Sequence, residues 1–366
     1  MKKLFAFFFV LVITTTLWAH DFEVDGIYYN HINEKEVEVT YQGSHNTEYY
    51  EYFGSINIPS FVTYNGNEYS VSHIGHGAFY NCRITSITIP NSVKSIGNDA
   101  FRFCKDSLTN VIIGDGVMSI GSCAFQECAS LTRVVMGNNV ASIGECAFNR
   151  CSSLSSITIP NSVKSIEAWT FAECSSLKSV HIGNSVTNIG HCAFKECSSL
   201  VSVCLPNSVT NIGDFAFSNC VSLARVSIGP CVASIGFWGF ENCSSLTSIT
   251  IPNSVKYIEY EAFKNCSALT SITCQATIPP TLGDNVFCSV ANSIPLYVPC
   301  ESLETYKVHI SWGQFTNIQC IPEDESAVEN THSQSPMTDC QKLIRNGQLL
   351  IIRNCKIYNA QGAVIV

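Results

Sequence analysis

Residues 159–177 read Ile-Pro-Asn-Ser-Val-Lys-Ser-Ile-Glu-Ala-Trp-Thr-Phe-Ala-Glu-Cys-Ser-Ser-Leu, and close copies of this stretch fill most of the chain. The opening Ile-Pro-Asn-Ser-Val recurs unchanged at 89–93 and 251–255. Repetition at a fixed period is typical of stacked structural units. We therefore give it precedence over the two or three domains that a chain of 366 residues would otherwise suggest.

A phenylalanine, followed three residues later by a cysteine, marks each copy. Successive cysteines are separated by 22, 24 and then six times by 23 residues. The cysteines are Cys82, Cys104, Cys128, Cys151, Cys174, Cys197, Cys220, Cys243 and Cys266. The phenylalanines are Phe79, Phe101, Phe125, Phe148, Phe171, Phe194, Phe217, Phe240 and Phe263. A period of 23 residues falls within the range of leucine-rich repeats.

Each copy also contains a short strand-like run, such as Leu154 to Ile159, in which apolar and polar residues alternate. One such strand cannot bury its apolar side, but stacked copies form a parallel ladder with a spacing of ~4.8 Å. We predict a leucine-rich repeat solenoid of about nine 23-residue coils between β-rich caps. Each coil would contain short parallel strands and a short helical turn, here around Ala147 and Phe148. The phenylalanines would stack in the core.

The ends of the chain differ from the repeats. Lys2 and Lys3 precede an apolar run and the small residue Ala19, which is the pattern of a secretory signal peptide. An uncleaved N-terminal anchor is the alternative. Asn65-Gly66 is a strong hairpin signal in the N-terminal cap. The predicted segments are the signal peptide 1–19, the N-terminal β cap 20–70, the solenoid 71–269, the C-terminal cap 270–321, the linker 322–340 and a β tail 341–366.

The composition excludes several classes of function. Charged residues make up 13% of the chain, against ~25% in typical soluble domains. No basic stripe is present, so we do not expect a nucleic-acid partner. After signal cleavage no segment approaches the ~20 apolar residues of a membrane span. We find no nucleophile, phosphate-loop or zinc-protease motif, and we predict no catalytic residues, cofactor or metal. His73 and His76 have the spacing of two metal ligands, but no third ligand is near in sequence, and we expect both to be exposed.

The cysteines allow a metal or redox interpretation and a structural one. A metal site needs four ligands that converge on one point, whereas this repeat places equivalent residues in a line. We therefore predict a spine of buried thiols, each hydrogen-bonded to a backbone carbonyl. Cys123 and Cys146 lie outside the spine and one period apart, so a disulfide between adjacent coils stays open.

Large aromatic residues are concentrated in four coils, at a turn where most copies have small or polar residues. The candidates are Trp169, Phe215, Phe237, Trp238, Tyr257 and Tyr260. An exposed aromatic patch is typical of a binding site. The alternative is that these rings pack on one another over a wider turn. The outward face of the main strand is small and polar, with Arg133, His181 and Arg225 as weaker binding candidates. This face is either a ligand surface or a solvated sheet.

The repeated Ile-Pro-Asn-Ser-Val-x-x-Ile-Gly-x-x-Ala-Phe-x-x-Cys-Ser-Ser-Leu resembles the BspA-type leucine-rich repeat surface proteins of gut and oral anaerobes. The opening from Asp21 to Tyr29 resembles the start of mature proteins in that group. The segment 342–353 with 356–359 resembles the sorting tail of the type IX secretion system, although Cys355 stands where glycine is usual and the final residues lack the usual base. The resemblance implies a secreted or surface-attached protein that binds host or bacterial surface molecules.

Three functions follow from these observations. The first is a non-catalytic recognition or adhesion protein, a monomer, that binds a host or bacterial surface protein or glycan through a rigid solenoid face. The second is a secreted hydrolase that acts on glycans, for which a deep cleft with two opposed carboxylates would be the evidence. The third is a passive surface spacer, favoured if the aromatic side chains are buried.

Overall fold

The computed structural model describes residues 20–42, 52–322, 340–345, 348–353 and 356–358. The predicted signal peptide and nearly all of the predicted linker lie outside these ranges. No helix among the described residues is long and apolar enough to cross a membrane.

Short β-strands dominate the described chain. In order they are β1 (Phe22–Val24), β2 (Ile27–His31), β3 (Glu36–Thr40), β4 (Phe53–Asn57), β5 (Phe61–Tyr64), β6 (Asn67–Ile74), β7 (Arg83–Ile89), β8 (Ser95–Ile96), β9 (Asn110–Ile113), β10 (Ser119–Ile120), β11 (Arg133–Val135), β12 (Ser142–Ile143), β13 (Ser156–Thr158), β14 (Ser165–Ile166), β15 (Ser179–His181), β16 (Asn188–Ile189), β17 (Ser202–Cys204), β18 (Asn211–Ile212), β19 (Arg225–Ser227), β20 (Ser234–Ile235), β21 (Ser248–Ile251), β22 (Tyr257–Ile258), β23 (Ser271–Cys274), β24 (Thr281–Leu282), β25 (Leu296–Val298), β26 (Ile318–Cys320), β27 (Cys340–Arg345), β28 (Gln348–Arg353) and β29 (Lys356–Tyr358). Within the part of the chain that the structure describes, one α-helix, α1 (Leu303–Val308), and two 3₁₀ turns (Cys300–Ser302 and Trp312–Gln314) lie towards the C-terminus.

Two parallel ladders run along the repeats. The main ladder contains β4, β7, β9, β11, β13, β15, β17, β19, β21, β23, β25 and β26. The minor ladder contains β6, β8, β10, β12, β14, β16, β18, β20, β22 and β24. Partners along each ladder are equivalent residues of adjacent coils, as in the pair Ile157 and Val180. The predicted leucine-rich repeat solenoid is confirmed.

The solenoid has about eleven turns, two more than the repeat count alone predicts. The main ladder continues past both ends of the range 71–269, because β4 pairs in parallel with β7 and β25 pairs in parallel with β23. Segments without the Phe-Cys signature therefore supply additional turns. Backbone hydrogen bonds allow this extension, since a parallel ladder requires strand conformation and not a particular side-chain motif.

The predicted helical turn within each coil is wrong. At the corner around Phe148, backbone N–H groups alternate between two kinds of partner. Ala147 N–H donates to Gly144 O within the coil at 3.2 Å, whereas Phe148 N–H donates to Thr170 O of the next coil at 2.9 Å. A helix would direct every N–H group back along its own coil, so bonding to the neighbouring coil excludes it.

The phenylalanines form a continuous stack, as predicted. Rings of adjacent coils from Phe79 to Phe263 have centroids 4.8 to 5.5 Å apart and lie within 10° of parallel. All are fully buried. Tyr52 covers one end of the stack, and Phe287 and Trp312 cover the other. We call this row the phenylalanine stack.

Close approach of adjacent coils explains the glycine that follows many minor strands. A Cβ atom on Gly121 would lie 2.5 Å from the backbone nitrogen of Asn98 in the preceding coil. Real Cβ atoms do not approach backbone so closely, and a larger residue at Gly121 would push the two coils apart. This glycine therefore fixes the coil spacing at one edge, as the phenylalanine stack does in the core.

Both ends of the solenoid are closed by other elements. At the N-terminal end, β5 and β6 form the predicted hairpin, in which Asn65 and Gly66 both have positive φ. At the C-terminal end, the indole N–H of Trp312 donates to Pro280 O at 2.8 Å, and Tyr306 Oη donates to Ala276 O at 2.8 Å. Both side chains are fully buried.

A disulfide joins Cys300 to Cys320 in this C-terminal region, a pairing that the sequence did not indicate. The bond closes a loop of 20 residues that contains α1. By restricting the unfolded chain, such a cross-link contributes about 3 kcal/mol in the entropic model.

We expect Phe171→Ala to destabilise the solenoid by about 3–5 kcal/mol, because it removes a ring packed on both sides and leaves a cavity. Guanidinium denaturation followed by circular dichroism measures the change. Ser179→Ala, at an exposed position of the main ladder, is the control and should shift stability by less than about 0.5 kcal/mol. Equal effects of the two substitutions would contradict a stabilising role for the stack.

Candidate functional site

The predicted aromatic residues lie at the corner that follows the minor ladder. Trp169, Phe215 and Trp238 occupy equivalent positions and have φ of 59°, 55° and 54°. This left-handed conformation is uncommon for bulky residues and costs about 1–2 kcal/mol at each position. The same backbone position in other coils is occupied by Cys123, Cys146, Cys192 and Glu261, also with positive φ. The solenoid thus imposes the conformation, and the sequence places large rings there in three coils.

Five of the six aromatic candidates form one row of ring contacts, joined by His191. Centroid distances along the row are 5.7 Å for Trp169–His191, 5.6 Å for His191–Phe215, 4.6 Å for Phe215–Trp238, 6.0 Å for Phe237–Trp238 and 5.3 Å for Trp238–Tyr260. We call these six residues the aromatic row. Tyr257 makes none of these ring contacts and lies on the minor ladder, beside Ser234 of the preceding coil.

Lys195 fills the break that Cys192 leaves in the aromatic row. Its Nζ lies 5.5 Å from the ring centroid of Trp169 and 5.9 Å from that of Phe215. A cation at this distance from a ring face is attracted by the negative charge above the ring. Lys195 and His191 were not among the predicted site residues. Alignment of the coils in steps of 23 places both within three residues of the aromatic column, which is the signal that would have identified them.

Trp238 is held by a charged network. Its indole N–H donates to Glu261 Oε2 at 3.0 Å, and Lys264 Nζ donates to the same oxygen at 2.6 Å. The pKa of Glu261 is lowered, chiefly by the hydrogen bond from Lys264 and then by that from Tyr260, against the opposing effect of burial. The carboxylate therefore stays ionised and fixes the orientation of the indole ring.

The aromatic row is neither core nor fully exposed. Phe237 and Tyr257 are 40% and 55% exposed, whereas Trp169, Phe215, Trp238 and Tyr260 are half-buried. Phe215 and Trp238 are stacked within 14° of parallel, so each covers part of a face of the other. The two predicted alternatives are thus combined: the rings pack on one another and still present a surface to solvent.

A polar stripe lies on the minor ladder, three or four residues before the aromatic row in the sequence of each coil. Ser234 Oγ donates to Asn211 Oδ1 at 2.7 Å, and the Asn211 amide donates to Asn188 Oδ1 at 3.1 Å. The Asn188 amide in turn lies 3.4 Å from Ser165 Oγ. Tyr257 occupies the next position of this stripe. Hydroxyls and amides that can donate and accept therefore adjoin the aromatic surface.

The three candidates on the main ladder are not brought together. Arg133 and Arg225 lie in one column but are separated by three coils, and His181 lies in a different column. All three side chains are exposed. They form no common site, and each faces solvent among small polar neighbours.

The spine cysteines are fully buried, except for Cys82, which is 6% exposed. From Cys104 onward each thiol donates to the carbonyl oxygen of the preceding coil's phenylalanine, as Cys151 Sγ does to Phe125 O at 3.2 Å. Burial raises the pKa of these thiols, to about 12 for Cys174 and Cys220. The geometry gives them a packing role next to the phenylalanine stack.

His73 and His76 do not converge on a common point. His73 is half-buried, contrary to our expectation of exposure, and its Nδ1 is 2.8 Å from Ser72 Oγ. His76 is exposed, with Nδ1 3.9 Å from Asp99 Oδ2. Within the described ranges, no group of three or more His, Cys, Asp or Glu residues has the geometry of a metal site.

A shallow charged groove lies at a second corner of the coils and was not predicted. Glu127 binds Lys105 at 2.9 Å and Arg150 at 3.4 Å, and Arg150 also binds Glu173 at 2.9 Å. Burial would raise the pKa of Glu127, but the hydrogen bonds and charges of Lys105 and Arg150 outweigh it and lower the pKa. The Glu127 carboxylate is therefore held ionised between Lys105 and Arg150, which does not suit it to proton donation near neutral pH.

We expect Glu261→Gln to lower the thermal midpoint at pH 7. Because the pKa of Glu261 is lowered in the folded state, its contribution is present above the ordinary glutamate pKa of ~4.3 and is lost as pH falls through the lowered value. The difference from the unmodified protein should therefore shrink at pH 3. Glu304→Gln, which removes an exposed pair with Lys307, is the control and should have little effect. An undiminished difference at pH 3 would contradict this assignment.

Comparison with known proteins identifies the repeat. The family profile of the BspA type leucine rich repeat region, in six copies, matches residues 72–201 and 164–294. No curated protein matched the chain.

Solved structures with similar folds come from several bacteria. A leucine rich cell surface protein from Faecalibacterium prausnitzii is 22% identical, with 83% of this chain and 95% of that chain covered and a TM-score of 0.42. A leucine-rich repeat protein from Bacteroides ovatus is 26% identical, with coverages of 83% and 100% and a TM-score of 0.32. A leucine rich repeat protein from T. pallidum is 24% identical, with coverages of 68% and 90% and a TM-score of 0.43.

The matched range 72–294 covers more than half of the chain and contains the entire series of phenylalanine and cysteine positions from Phe79 to Cys266. The repeat that determines the core of the structure is thus the repeat that defines the family. The chain belongs to the BspA-type leucine-rich repeat family.

Proposed function

We propose that this protein is a monomeric recognition or adhesion protein that binds a host or bacterial surface protein or glycan through the aromatic row. The family supports the broader description, a non-catalytic surface repeat protein. The specific proposal rests on one observation. Large aromatic rings occupy positions with a left-handed backbone in neighbouring coils and remain partly exposed there.

Covering the aromatic row with a partner would be energetically favourable. A left-handed backbone at Trp169, Phe215 and Trp238 is unfavourable for bulky residues. Full burial would offset that cost, but these rings are only half-buried and Phe237 is exposed. Aromatic side chains are enriched among the residues that dominate binding energies. A partner that covers the row would remove the remaining apolar surface from water.

Pre-organisation also favours recognition. Trp238 is fixed by Glu261, and Lys195 sits between two rings, so the row is ordered before a partner arrives. An ordered surface loses less side-chain entropy on binding than a flexible one. The adjoining amides of Asn188 and Asn211 would supply the directional hydrogen bonds that apolar contacts lack.

We further propose that residues 1–19 direct export and that the tail 341–366 contributes to sorting at the cell surface. The basic and apolar pattern of the leader supports the first step. Within this tail β28 and β29 pair antiparallel, and β27 pairs antiparallel with β28 on the other side. A folded β tail is compatible with a sorting role, which a secretion assay with residues 341–366 deleted would test.

The two alternative functions find less support. The charged groove is shallow, and its acids are engaged by Lys105 and Arg150 instead of facing each other across a cleft. That arrangement does not favour a glycan hydrolase, which needs two opposed carboxylates. The passive-spacer function does not explain why the ring of Phe237, in the ordered row, and the ring of Tyr257, beside the row, are exposed.

The proposal predicts that Trp238→Ala weakens binding by about tenfold or more, as expected for a central aromatic contact. Tyr257→Ala, an exposed ring beside the row on the minor ladder, should weaken binding as well. The mature protein from His20 onward is applied to an array of host matrix proteins and glycans, and dissociation constants are then measured for each hit. Phe103→Ala is the matched control, because Phe103 is also a half-buried aromatic with φ of 64°, but it lies at the other corner, beside Lys105.

Tyr257 is exposed and makes none of the ring contacts of the row, so its substitution should leave folding intact and separates lost binding from lost structure. Circular dichroism of each variant checks the fold. Binding that is indifferent to both substitutions, or equally weakened by Phe103→Ala, would move the site away from the aromatic row. Absence of binding to every array member would favour the spacer.

A further inference from the structure

Cys123 and Cys146 are placed differently from the spine cysteines. They occupy the left-handed corner position, on adjacent coils, immediately before Trp169 in the same column. Cys123 N–H donates to Glu145 O at 2.9 Å, which sets the two coils side by side at this point. Adjacent parallel chains are ~4.8 Å apart, within the range of about 4.4–6.8 Å between Cα atoms that a disulfide requires.

The two side chains face one another. Both are free thiols in the structure, and each is close enough to contribute to the pKa shift of the other. Both are half-buried, whereas the spine thiols from Cys104 to Cys266 are fully buried and donate to backbone carbonyls. A reagent in solvent can therefore reach the thiols of Cys123 and Cys146 but not the thiols of the spine.

The next position of the column prevents a longer chain of thiols. Trp169 occupies this position in the coil after Cys146. The next cysteine of the column, Cys192, lies one coil beyond Trp169 and is buried. Each member of the pair thus has one thiol neighbour in its column. The spine cysteines lack this property, because each interior one has equivalent neighbours on both sides.

We propose that Cys123 and Cys146 are a modification site, a dithiol that converts to a disulfide by exchange with a low-molecular-weight disulfide while the spine cysteines remain thiols.

The order of steps follows from the surroundings. Burial raises the pKa of both thiols, and Asp99 and Glu145 add to the rise at Cys123. The positive charge of Arg102 and the hydrogen bond from Cys146 act in the opposite direction at Cys123. The pKa of Cys146 is raised to about 11, with the Cys123 charge among the causes. The Arg102 charge therefore favours the thiolate of Cys123, and the thiolate is the attacking species.

The exchange balances without any further oxidant. The Cys123 thiolate attacks one sulfur of the small disulfide, and a mixed disulfide forms as one small thiol leaves with the proton that Cys123 lost. Cys146 then attacks the Cys123 sulfur, and the second small thiol leaves with the proton from Cys146. Two protein thiols are oxidised to one disulfide, and one small disulfide is reduced to two thiols.

The product would join two coils where the aromatic row begins. Cys146 N–H donates to Ala168 O at 3.0 Å, so the coil that carries Trp169 rests directly on the linked pair. A cross-link between residues one period apart restricts the unfolded chain. Oxidation should therefore raise the midpoint of thermal unfolding.

To test this, the folded protein is incubated with mixtures of oxidised and reduced glutathione. The remaining free thiols are then blocked, and peptides are mapped by mass spectrometry without prior reduction. We expect a peptide pair joined through Cys123 and Cys146, and unmodified spine cysteines. Exposed Cys231 and Cys288 are internal references for access and should form single glutathione adducts.

Two variants separate the steps. In Cys146→Ser, the mixed disulfide at Cys123 should persist, because no second thiol resolves it. In Cys151→Ser, a spine substitution, the Cys123–Cys146 disulfide should form as in the unmodified protein. The proposal is overturned if the joined peptide is absent at every glutathione ratio while Cys231 reacts, or if spine cysteines oxidise as fast. The peptide map of the unmodified protein decides the question even if a variant does not fold.

Discussion

The spacing between adjacent coils is the constraint on which the rest of this structure depends. Backbone hydrogen bonds in two parallel ladders set it to one strand separation. Between the ladders, the phenylalanine stack has nearly the same spacing, with ring centroids 4.8 to 5.5 Å apart. Nearly parallel rings suit this position because offset stacking keeps neighbouring rings in contact at this spacing. A larger spacing would open the core, and a smaller one would bring glycine-lined backbones into collision.

The same spacing determines the chemistry of the corners. Because coils are too close for independent loops, N–H groups at a corner alternate between their own coil and the next one. This pattern requires a left-handed residue at fixed positions, and the chain accepts non-glycine residues there. Each such column then becomes a line of side chains one coil apart. Depending on the residue, a column forms ion pairs around Glu127, a thiol pair at Cys123 and Cys146, or the ring contacts of the aromatic row.

Stability and function are thereby assigned to different columns of one repeat. The phenylalanine and cysteine columns are buried and hardly vary between coils, and they support the ladders equally along the solenoid. The corner columns are partly exposed and vary freely, because a substitution there disturbs one coil edge and not the core. Surface chemistry can therefore change from coil to coil at little cost in stability. The proposed binding surface and the proposed thiol site both lie in a variable column.

The solenoid, its period and its buried columns can be predicted from the sequence, because core burial repeats every 23 residues and leaves a pattern that needs no three-dimensional information. The aromatic positions and the Asn65-Gly66 turn are also visible in the sequence. Three relations required the folded structure: Tyr257 stands apart from the row, His191 and Lys195 complete it, and Glu261 anchors Trp238. Those relations depend on the direction of side chains at a corner with a left-handed backbone. The residue types at that corner do not predict this backbone conformation. The missed Cys300–Cys320 disulfide lies beyond the repeats, where no regular spacing pairs the two cysteines. The prediction of a helical turn failed because half of the N–H groups at that corner donate to the adjacent coil.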